Sequence, residues 1–411
     1  MQYITEELHT PVAGEYDVIV VGGGPSGSAA AISAARKGMK TLLLEKTQCL
    51  GGMWTSGFIN PLFDCENKSG LLAEIIGELK KDDAWGGFWN KSFNYEYMKG
   101  LLERLSREAG VEVLYDTRYS RPITEAGAIR GVIAENIGGR KAYLGKVVID
   151  ASADAAVAYD CGVKCFIGED GFESCQSMTM MFVVGNVPHK YKDGLMIYEV
   201  LEKAFEKQGK GRHSPFRVPY MIPAPNADFA VIQLTHVHGK DPLDAESMTQ
   251  AVIEGRKQVL ECFEALKFYD DDFRDLVLIT SAPQMGVRES RRIEGEYTIK
   301  AQDLLEGLIP EDSVTVATFG IDIHDSKNTE QHVAHTKPYG IPYRAMLPKG
   351  IDGLIVAGKT ISGDHVAMAS YRVTGDCCAM GEAAGYAAAY AVKNHKSVKE
   401  ITAKEFLEKP I

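Results

Sequence analysis

The sequence predicts an α/β fold in which a doubly wound domain, built from discontinuous pieces, carries an inserted mixed α+β domain. Between residues 16 and 45, a strand pattern, a glycine turn, an alanine-rich helix pattern and a second strand pattern form one βαβ unit. Residues 178–343 mix strand patterns with one long helix pattern. A buried-strand pattern like those of the βαβ unit returns at 353–359. The 411 residues allow two or three domains. We predict a first domain from 14–177 and 344–411, and an inserted domain from 178–343.

Hydrophobic periodicity predicts the elements in order. Apolar runs predict strands at 16–21, 41–44, 111–115, 146–152, 179–184, 229–237, 276–282, 313–323 and 353–359. Patterns with an apolar face or many alanines predict helices over 26–37, 96–109, 244–266 and 379–393. Glycines between residues 122 and 145 are spaced as hairpin turns require.

The turn between the first strand and the first helix matches the dinucleotide-binding pattern GxGxxG. Gly22 permits the tight turn, Gly24 lets a diphosphate approach the backbone, and Gly27 lets the helix pack closely on the strand. The N–H groups that begin the helix favour a bound anion. Glu45 ends the second strand, where it can accept hydrogen bonds from ribose hydroxyls and would repel a 2′-phosphate. These residues disfavour NADP and leave NAD and FAD open.

Four further stretches extend the comparison to most of the chain. They are KTQCLGGMWTSG at 46–57, VVIDASADAAVA at 147–158, GVRESRRIEGEYTI at 286–299 and the run from PYGIPYRAML to ASYRV at 338–373. In this order they resemble FAD-dependent oxidoreductases of the fumarate-reductase and glutathione-reductase-like superfamily. The resemblance implies a discontinuous Rossmann-like FAD-binding domain, with the adenosine end of FAD on 22–45 and the flavin between the two domains.

The cofactor contacts that the glycine turn and the resemblance imply can be assigned to individual residues. They are Gly22, Gly24, Pro25, Ser26, Gly27, Glu45, Lys46, Gly51, Gly52, Met53, Ser56, Ala151, Asp154, Gly358 and Gly375. A helix beginning near Thr374 is expected to direct its N-terminus at the flavin pyrimidine. Met53 and Trp54 stand where the family usually has small residues, and Lys359 replaces an arginine, which keeps the charge but loses the bidentate geometry.

The arginines of the segment RESRR are candidates for substrate binding. In an extended chain, Arg288 and Arg292 share one face, whereas Arg291 lies on the other. We expect Arg288 and Arg291 to hold a substrate carboxylate or a developing enolate. The alternative is a buried ion-pair network that joins the two domains, with nearby glutamates as partners.

Three further residues are candidate catalytic groups. His365 and Arg372 match positions that the family fills in the same way, and His365 could donate a proton or hold a substrate oxygen. The alternative is that His365 only shapes its loop, and Tyr343 has the same two interpretations. Asp322 and His324 share one face of a strand pattern, so we expect them to line a pocket of the inserted domain.

Composition and charge limit the partners and the location of the protein. A net charge of -11 without a long Lys/Arg cluster disfavours nucleic acid. Neither a secretory signal nor an apolar run of about 18 residues is visible, so we expect no membrane span. The eight cysteines form no CxxC pair, which suggests reduced thiols and a cytoplasmic protein. His236 and His238 share a face without an evident third ligand, so we expect core histidines and no metal.

The leading hypothesis is an FAD-dependent oxidoreductase that transfers a hydride between a small organic substrate and flavin N5, in either direction. The sequence has no second GxGxxG unit after a strand, so NAD(P)H would bind transiently, or a separate electron carrier would act. A flavin-dependent monooxygenase is the alternative enzyme, and a non-catalytic dinucleotide sensor or scaffold is the alternative of another class. The substrate, the mode of FAD attachment and the oligomeric state stay open.

Overall fold

The computed structural model of the protein describes residues 3–191 and 193–407, so the last four residues of the predicted segment 344–411 lie outside it. The strands and helices of the first part of the chain are β1 (Val12–Val21), α1 (Pro25–Arg36), β2 (Thr41–Leu44), α2 (Gly70–Lys81), β3 (Trp85–Gly86), β4 (Ser92–Phe93), α3 (Tyr95–Ala109), β5 (Glu112–Leu114), β6 (Arg118–Glu125), β7 (Ala128–Asn136), β8 (Gly139–Asp150), α4 (Ala156–Asp160) and β9 (Cys165–Ile167).

The middle of the chain contributes β10 (Phe182–Gly185), β11 (Leu195–Met196), α5 (Tyr198–Gln208), β12 (Tyr220–Pro223), β13 (Phe229–Gln233), α6 (Ala245–Tyr269), β14 (Val277–Ser281), β15 (Arg291–Ile293), α7 (Ala301–Glu306), β16 (Ser313–Ala317), β17 (Ile321–His324), β18 (Gln331–Ala334) and β19 (Tyr339–Pro342). The last part contributes β20 (Leu354–Val356), α8 (His365–Tyr371), α9 (Thr374–Asn394) and α10 (Ala403–Phe406).

A seven-stranded sheet organises the first domain. Its order is β5-β2-β1-β8-β7-β6, and β20 pairs with β8. The pairs β2–β5, β1–β2, β1–β8 and β8–β20 are parallel, whereas β6–β8 form antiparallel hairpins. Val18, Ile19 and Val20 have no exposed surface, because strands of a parallel sheet are covered on both faces. Since β20 joins strands from the beginning of the chain, the predicted discontinuous α/β fold is confirmed.

Helices α1 and α9 pack against each other with almost no side chain between their backbones. A Cβ atom at Gly381 would overlap the carbonyl oxygen of Ser26, and one at Gly385 would overlap that of Ala30. Most buried positions of α1 are Ala, Ser or Gly, which permits this close approach. Helix α9 therefore fixes the position of α1, whose N-terminus begins at the glycine turn.

The inserted part is built around a five-stranded antiparallel sheet in the order β11-β12-β13-β10-β14. One face of this sheet and the helices α5 and α6 form a second hydrophobic core, whose buried members run from Met178 to Met285. Buried side chains from Ile293 onward, including Leu304 and Tyr339, pack into the first core instead. We therefore propose that the inserted domain ends near residue 285 and not at 343.

Most predicted elements lie within a few residues of the observed ones, but one strand prediction is wrong. Residues 313–323 form two strands, because β16 pairs with β19 whereas β17 pairs with β18. Phe319 and Gly320 lie between these pairings. The apolar run alone could not show that its two ends belong to different sheets.

Candidate active site

The glycine turn after β1 leaves open space where a dinucleotide diphosphate is expected. Gly22 has φ +97°, and a Cβ atom there would lie 2.5 Å from the carbonyl oxygen of Ala151. A Cβ atom at Gly27 would overlap the carbonyl oxygen of Gly22. At Gly24, by contrast, a Cβ atom would meet no atom within 4 Å. Gly22 and Gly27 are therefore required by packing, and Gly24 keeps a cavity open beside the N-terminus of α1.

Glu45 is buried and anchored to this turn. Its Oε2 accepts a hydrogen bond of 2.6 Å from the backbone N–H of Gly23, and its Oε1 accepts one of 2.8 Å from that of Thr47. A carboxylate offers about four acceptor positions, so it keeps capacity for further hydrogen bonds. Lys46 follows it with an exposed side chain.

The second glycine pair packs against the first turn. Gly51 donates a hydrogen bond of 2.8 Å to the carbonyl oxygen of Gly23 and has φ +98°. A Cβ atom at Gly52 would lie 3.0 Å from the Cα of Gly24. Met53 reaches the cavity that Gly24 opens, whereas Ser56 is buried, with its Oγ 3.2 Å from the Sγ of Cys49.

The loop after β8 forms another wall of this cavity, and Asp150 holds the loop in place. Asp150 accepts hydrogen bonds of 3.0 Å from the backbone N–H groups of Ser152 and Ala158, and burial raises its pKa. Ala151 and Ala153 line the cavity. The side chain of Asp154 is not part of the lining.

The end of β20 and the start of α9 complete the first domain's share of the cavity. Gly358 has φ +100°, and a Cβ atom there would lie 2.7 Å from the Oγ of Ser26. Lys359 donates a hydrogen bond of 2.9 Å to the Oγ of Ser290, and burial lowers the pKa of this lysine. Gly375 is needed for packing, because a Cβ atom there would overlap the carbonyl oxygens of Phe63 and Asp64.

Residues from the beginning, the middle and the end of the chain line the cavity, which has about 1210 Å³ of space, its open mouth included. The first domain supplies small residues and backbone, such as Gly24, Ala151 and Gly358. The facing wall carries polar side chains from the middle of the chain, including Arg288 and His324. A concave site with mostly apolar walls and a few convergent polar groups is typical of cofactor and substrate binding.

Two arginines give this cavity a positive wall. The Nη1 of Arg288 donates hydrogen bonds of 2.6 Å to the carbonyl oxygen of Ser177 and 2.8 Å to the Oγ1 of Thr179. Its Nε and Nη2 have no hydrogen-bond partner within residues 3–191 and 193–407. Burial and the neighbouring charge of Arg372 lower the pKa of Arg288 to about 9.

Arg372 completes the positive wall from the end of α8. Its Nη2 donates hydrogen bonds of 2.9 Å to the carbonyl oxygen of Asp322 and 3.3 Å to the Oε1 of Gln176. Its Nε is buried and has no partner among the described residues. Its Nη2 also lies 3.5 Å from the Oδ2 of Asp322, so Arg288, Arg372 and Asp322 together carry one net positive charge, which favours an anion in the cavity.

A chain of buried polar side chains continues from this wall. The Nε2 of His324 lies 3.4 Å from the Oδ2 of Asp322, and its Nδ1 lies 2.9 Å from the Nε2 of His236. His236 stacks on Phe216 with ring centroids 4.1 Å apart. Burial and the charge of Arg288 lower the pKa of His324 to about 3, and burial also lowers that of His236. Both imidazoles are therefore neutral at physiological pH.

The remaining predicted catalytic residues do not line the cavity. Arg291 lies 3.9 Å above the ring of Tyr159 and donates a hydrogen bond to the carbonyl oxygen of Asp154. Tyr343 is buried, and its hydroxyl donates to the carbonyl oxygen of Val398. The contacts of these two candidates are those of structural residues.

His365 belongs to a buried ion-pair network. Its Nδ1 lies 2.9 Å from the Oε1 of Glu289, which also pairs with Arg292. Arg292 in turn donates to the carbonyl oxygens of Gly363 and Gly168. The segment RESRR therefore combines both interpretations of the sequence, because Arg288 faces the cavity whereas Arg292 and Glu289 are ion-paired.

Sequence reasoning missed two residues that position the arginines. Thr179, which lines the cavity, and Gln176, which contacts Arg372 from outside the lining, carry no motif and lie more than 100 residues before Arg288. The pairing of His236 with His324 was also missed, although each histidine had been singled out. Across the described residues, no group of three or more His, Cys, Asp or Glu could hold a metal ion.

The glycine turn, the anchored acidic residue and the cavity at the carboxyl ends of β1, β8 and β20 define a dinucleotide-binding protein of the doubly wound class. The open position at Gly24 and the polar far wall fit FAD, whose diphosphate needs a backbone cradle and whose ring needs a larger chamber. The sequence model of the family described as FAD dependent oxidoreductase matches residues 17–409, and the chain belongs to this family. The resemblance that the motifs indicated is thus confirmed at the level of the family.

Curated relatives match part of the chain. The digeranylgeranylglycerophospholipid reductase of Methanocella arvoryzae is 28% identical over 187 residues, which are 40% of this chain and 46% of the relative. That of Methanosphaerula palustris is 30% identical over 188 residues, which are 39% of this chain and 44% of the relative. The matched region is therefore less than half the length of either relative.

Solved structures share the fold over most of the chain. A geranylgeranyl bacteriochlorophyll reductase-like protein from Thermoplasma acidophilum has a TM-score of 0.50 at 16% identity, over 93% of this chain and 80% of that one. The flavin-dependent brominase Bmp2 has a TM-score of 0.51 at 16% identity, over 92% and 80%. Within the described residues, no helix has the length and apolar character needed to cross a bilayer.

Proposed function

We propose that this protein transfers a hydride between a small organic anion and the N5 atom of FAD, with Arg288 and Arg372 holding the anion. The observation that carries the proposal is the positive wall opposite the glycine turn. Both guanidinium groups face one cavity and have N–H groups without a partner among the residues that the structure describes. Charge-assisted hydrogen bonds to such groups orient a carboxylate strongly.

The glycine turn, the 51–52 pair and the end of β20 are the proposed contacts of FAD. Gly24, Pro25 and Ser26 line the cavity, and the first turn of α1 leaves N–H groups that have no intrahelical partner. These groups suit the diphosphate, and Glu45 suits the adenosine ribose. When bound, FAD supplies the two-electron chemistry that the side chains lack.

Arg288 and Arg372 also control the protonation of His324. In the cavity, the charge of Arg288 helps to keep His324 neutral. An anion bound between the arginines would offset this charge and raise the pKa of His324 towards the working pH. Asp322 and His236 contact the two ring nitrogens of His324. The proposed role of this imidazole is therefore to position Asp322, which in turn pairs with Arg372.

The other half of the reaction needs a second redox partner. We propose that NAD(P)H binds transiently, or that a separate electron carrier exchanges electrons with the enzyme. The eight free thiols suit a reducing compartment, which supports a cytoplasmic location. The relatives are named reductases, which favours reduction of the substrate as the direction to test first.

The proposal is tested by oxygen-free spectroscopy of the purified holoenzyme. A panel of organic acids is mixed with oxidised enzyme, and unsaturated acids are mixed with enzyme reduced by dithionite. Hydride transfer predicts that at least one acid bleaches or restores the flavin absorbance with formation of its redox product. Product formation only in the presence of oxygen would instead identify a monooxygenase.

A further inference from the structure

The FAD-facing cavity adjoins a groove, which we call the entrance groove. The two spaces adjoin, because they share six lining residues: Pro61, Phe63, Gln233, Phe319, Asp322 and His324. Asp322 and His324 belong to the polar wall described above. A molecule held by the arginines therefore extends along this groove if it is longer than the inner cavity.

Aromatic rings line the groove in an unbroken series. Phe63 lies 5.5 Å from Phe319 and 6.3 Å from Trp89, measured between ring centroids. Trp89 lies 5.5 Å from Tyr220. The four rings therefore connect the polar wall with the surface, and ring faces of this kind bind planar π-systems better than saturated groups.

Trp89 has two properties that a purely structural tryptophan lacks. It is 58% exposed, although an indole contributes most to stability when it is buried. Its backbone has φ +51°, a conformation that is strained for a bulky residue. Strain of this kind persists where the surrounding fold imposes it, and it is concentrated at ligand sites. Here the strained segment presents the indole at the outer end of the groove.

We propose that the substrate is an aromatic carboxylate, with its carboxylate on Arg288 and Arg372 and its ring against Phe63 and Trp89. This inference rests on the proposed function, since it names the substrate class of the same site. The positive inner wall attracts the carboxylate of the substrate, and the outer series of rings contacts its aromatic ring. Because the two spaces adjoin, one molecule can occupy both.

Calorimetric titration of the holoenzyme tests the inference without requiring turnover. The probes are trans-cinnamate and trans-3-cyclohexylacrylate, which share a carboxylate and differ in whether the six-membered ring is aromatic. We expect cinnamate to bind up to about tenfold more tightly. Trp89→Leu and Phe63→Leu should each reduce this preference. Phe268→Leu, at an exposed position of α6 outside the groove, is the matched control and should preserve it.

Arg288→Gln separates the two proposals. It should weaken both acids alike, because it removes the carboxylate site and leaves the rings in place. If Arg288→Gln leaves the affinity for both acids unchanged while cinnamate still binds more tightly, the proposed anion site at Arg288 is wrong, and the aromatic preference is independent of it. Equal affinity of the two acids, binding of neither, or an unchanged preference in both Trp89→Leu and Phe63→Leu overturns the aromatic substrate.

Discussion

The imidazole rings of His236 and His324 share a hydrogen bond of 2.9 Å between Nε2 and Nδ1. Because the Nε2 of His324 lies near the Asp322 carboxylate, a proton on that atom leaves Nδ1 as the acceptor from His236. Both rings are then neutral and protonated on Nε2. The Nδ1 of His236 has no partner among the described residues. The pair is thus a neutral polar chain that ends at the cavity.

This pair should make the stability of the protein depend on pH. The folded state holds the pKa of His324 at about 3, whereas the unfolded chain has the ordinary value of about 6.5. Below about pH 6.5, the unfolded state binds a proton that the folded state does not. The free energy of unfolding therefore falls from about pH 6.5 towards pH 3, by up to about 1.4 kcal/mol per pH unit for His324 alone.

Urea unfolding at several pH values, with FAD in excess, measures this effect. In His324→Asn the decrease should be smaller by up to about 1.4 kcal/mol for each pH unit between pH 6.5 and pH 4. His335→Asn, at an exposed position, is the matched control and should keep the parent slope. An equal slope in all three proteins would show that His324 is not held neutral.

Arg288 should influence the same histidine through its charge. Burial is the larger cause of the lowered pKa of His324, and Arg288 is the next. Arg288→Gln should therefore raise the pKa of His324 from about 3, as followed by NMR of isotopically labelled histidines. Arg291→Gln, beside Tyr159 and outside the cavity, should leave it unchanged. If both variants have the same effect, Arg288 does not face the histidine pair.

Gly24→Ala should weaken FAD binding while preserving the fold. The added methyl group meets no protein atom within 4 Å, but it occupies the proposed diphosphate cradle. Loss of one hydrogen bond to a charged group would raise the dissociation constant about 10- to 100-fold, as measured by FAD fluorescence on titration of FAD-free protein. Gly77→Ala in α2, which also meets no neighbour, should keep the parent affinity. Tight FAD binding by Gly24→Ala would place the diphosphate elsewhere.

Gly381→Ala should destabilise the whole first domain. Its methyl group overlaps the backbone of Ser26, so α9 must separate from α1. Overpacking of this kind costs about 1–3 kcal/mol of the free energy of unfolding, and it would also shift the N-terminus of α1. The free energy of unfolding, measured by chemical denaturation, and the affinity for FAD should both decrease. Gly77→Ala should decrease neither quantity. An unaffected Gly381→Ala protein would mean that the two helices can separate freely.

The sequence was most informative about structure that depends on neighbouring residues. The run 18–21 is apolar on both faces, which predicts a buried strand of a parallel sheet, and the spacing of Gly22, Gly24 and Gly27 predicts the turn. Contacts between distant segments carry no such pattern. Thr179 positions Arg288 across 109 residues, and Trp89 meets Tyr220 from another domain. Gly375 shows a further limit, because its packing on the carbonyl oxygens of Phe63 and Asp64 requires glycine, and the sequence could not separate this requirement from a contact with the cofactor.

The account is tested most directly by deuterium on the reacting carbon of a substrate found in the oxygen-free screen. The reaction is run in the direction that oxidises this substrate, so that the carbon–hydrogen bond breaks as the flavin absorbance bleaches. Hydride transfer predicts that the labelled substrate bleaches the flavin more slowly than the unlabelled one, with one product formed per flavin. Equal rates, together with a product that forms only when oxygen is admitted and contains its oxygen atom, would contradict the account.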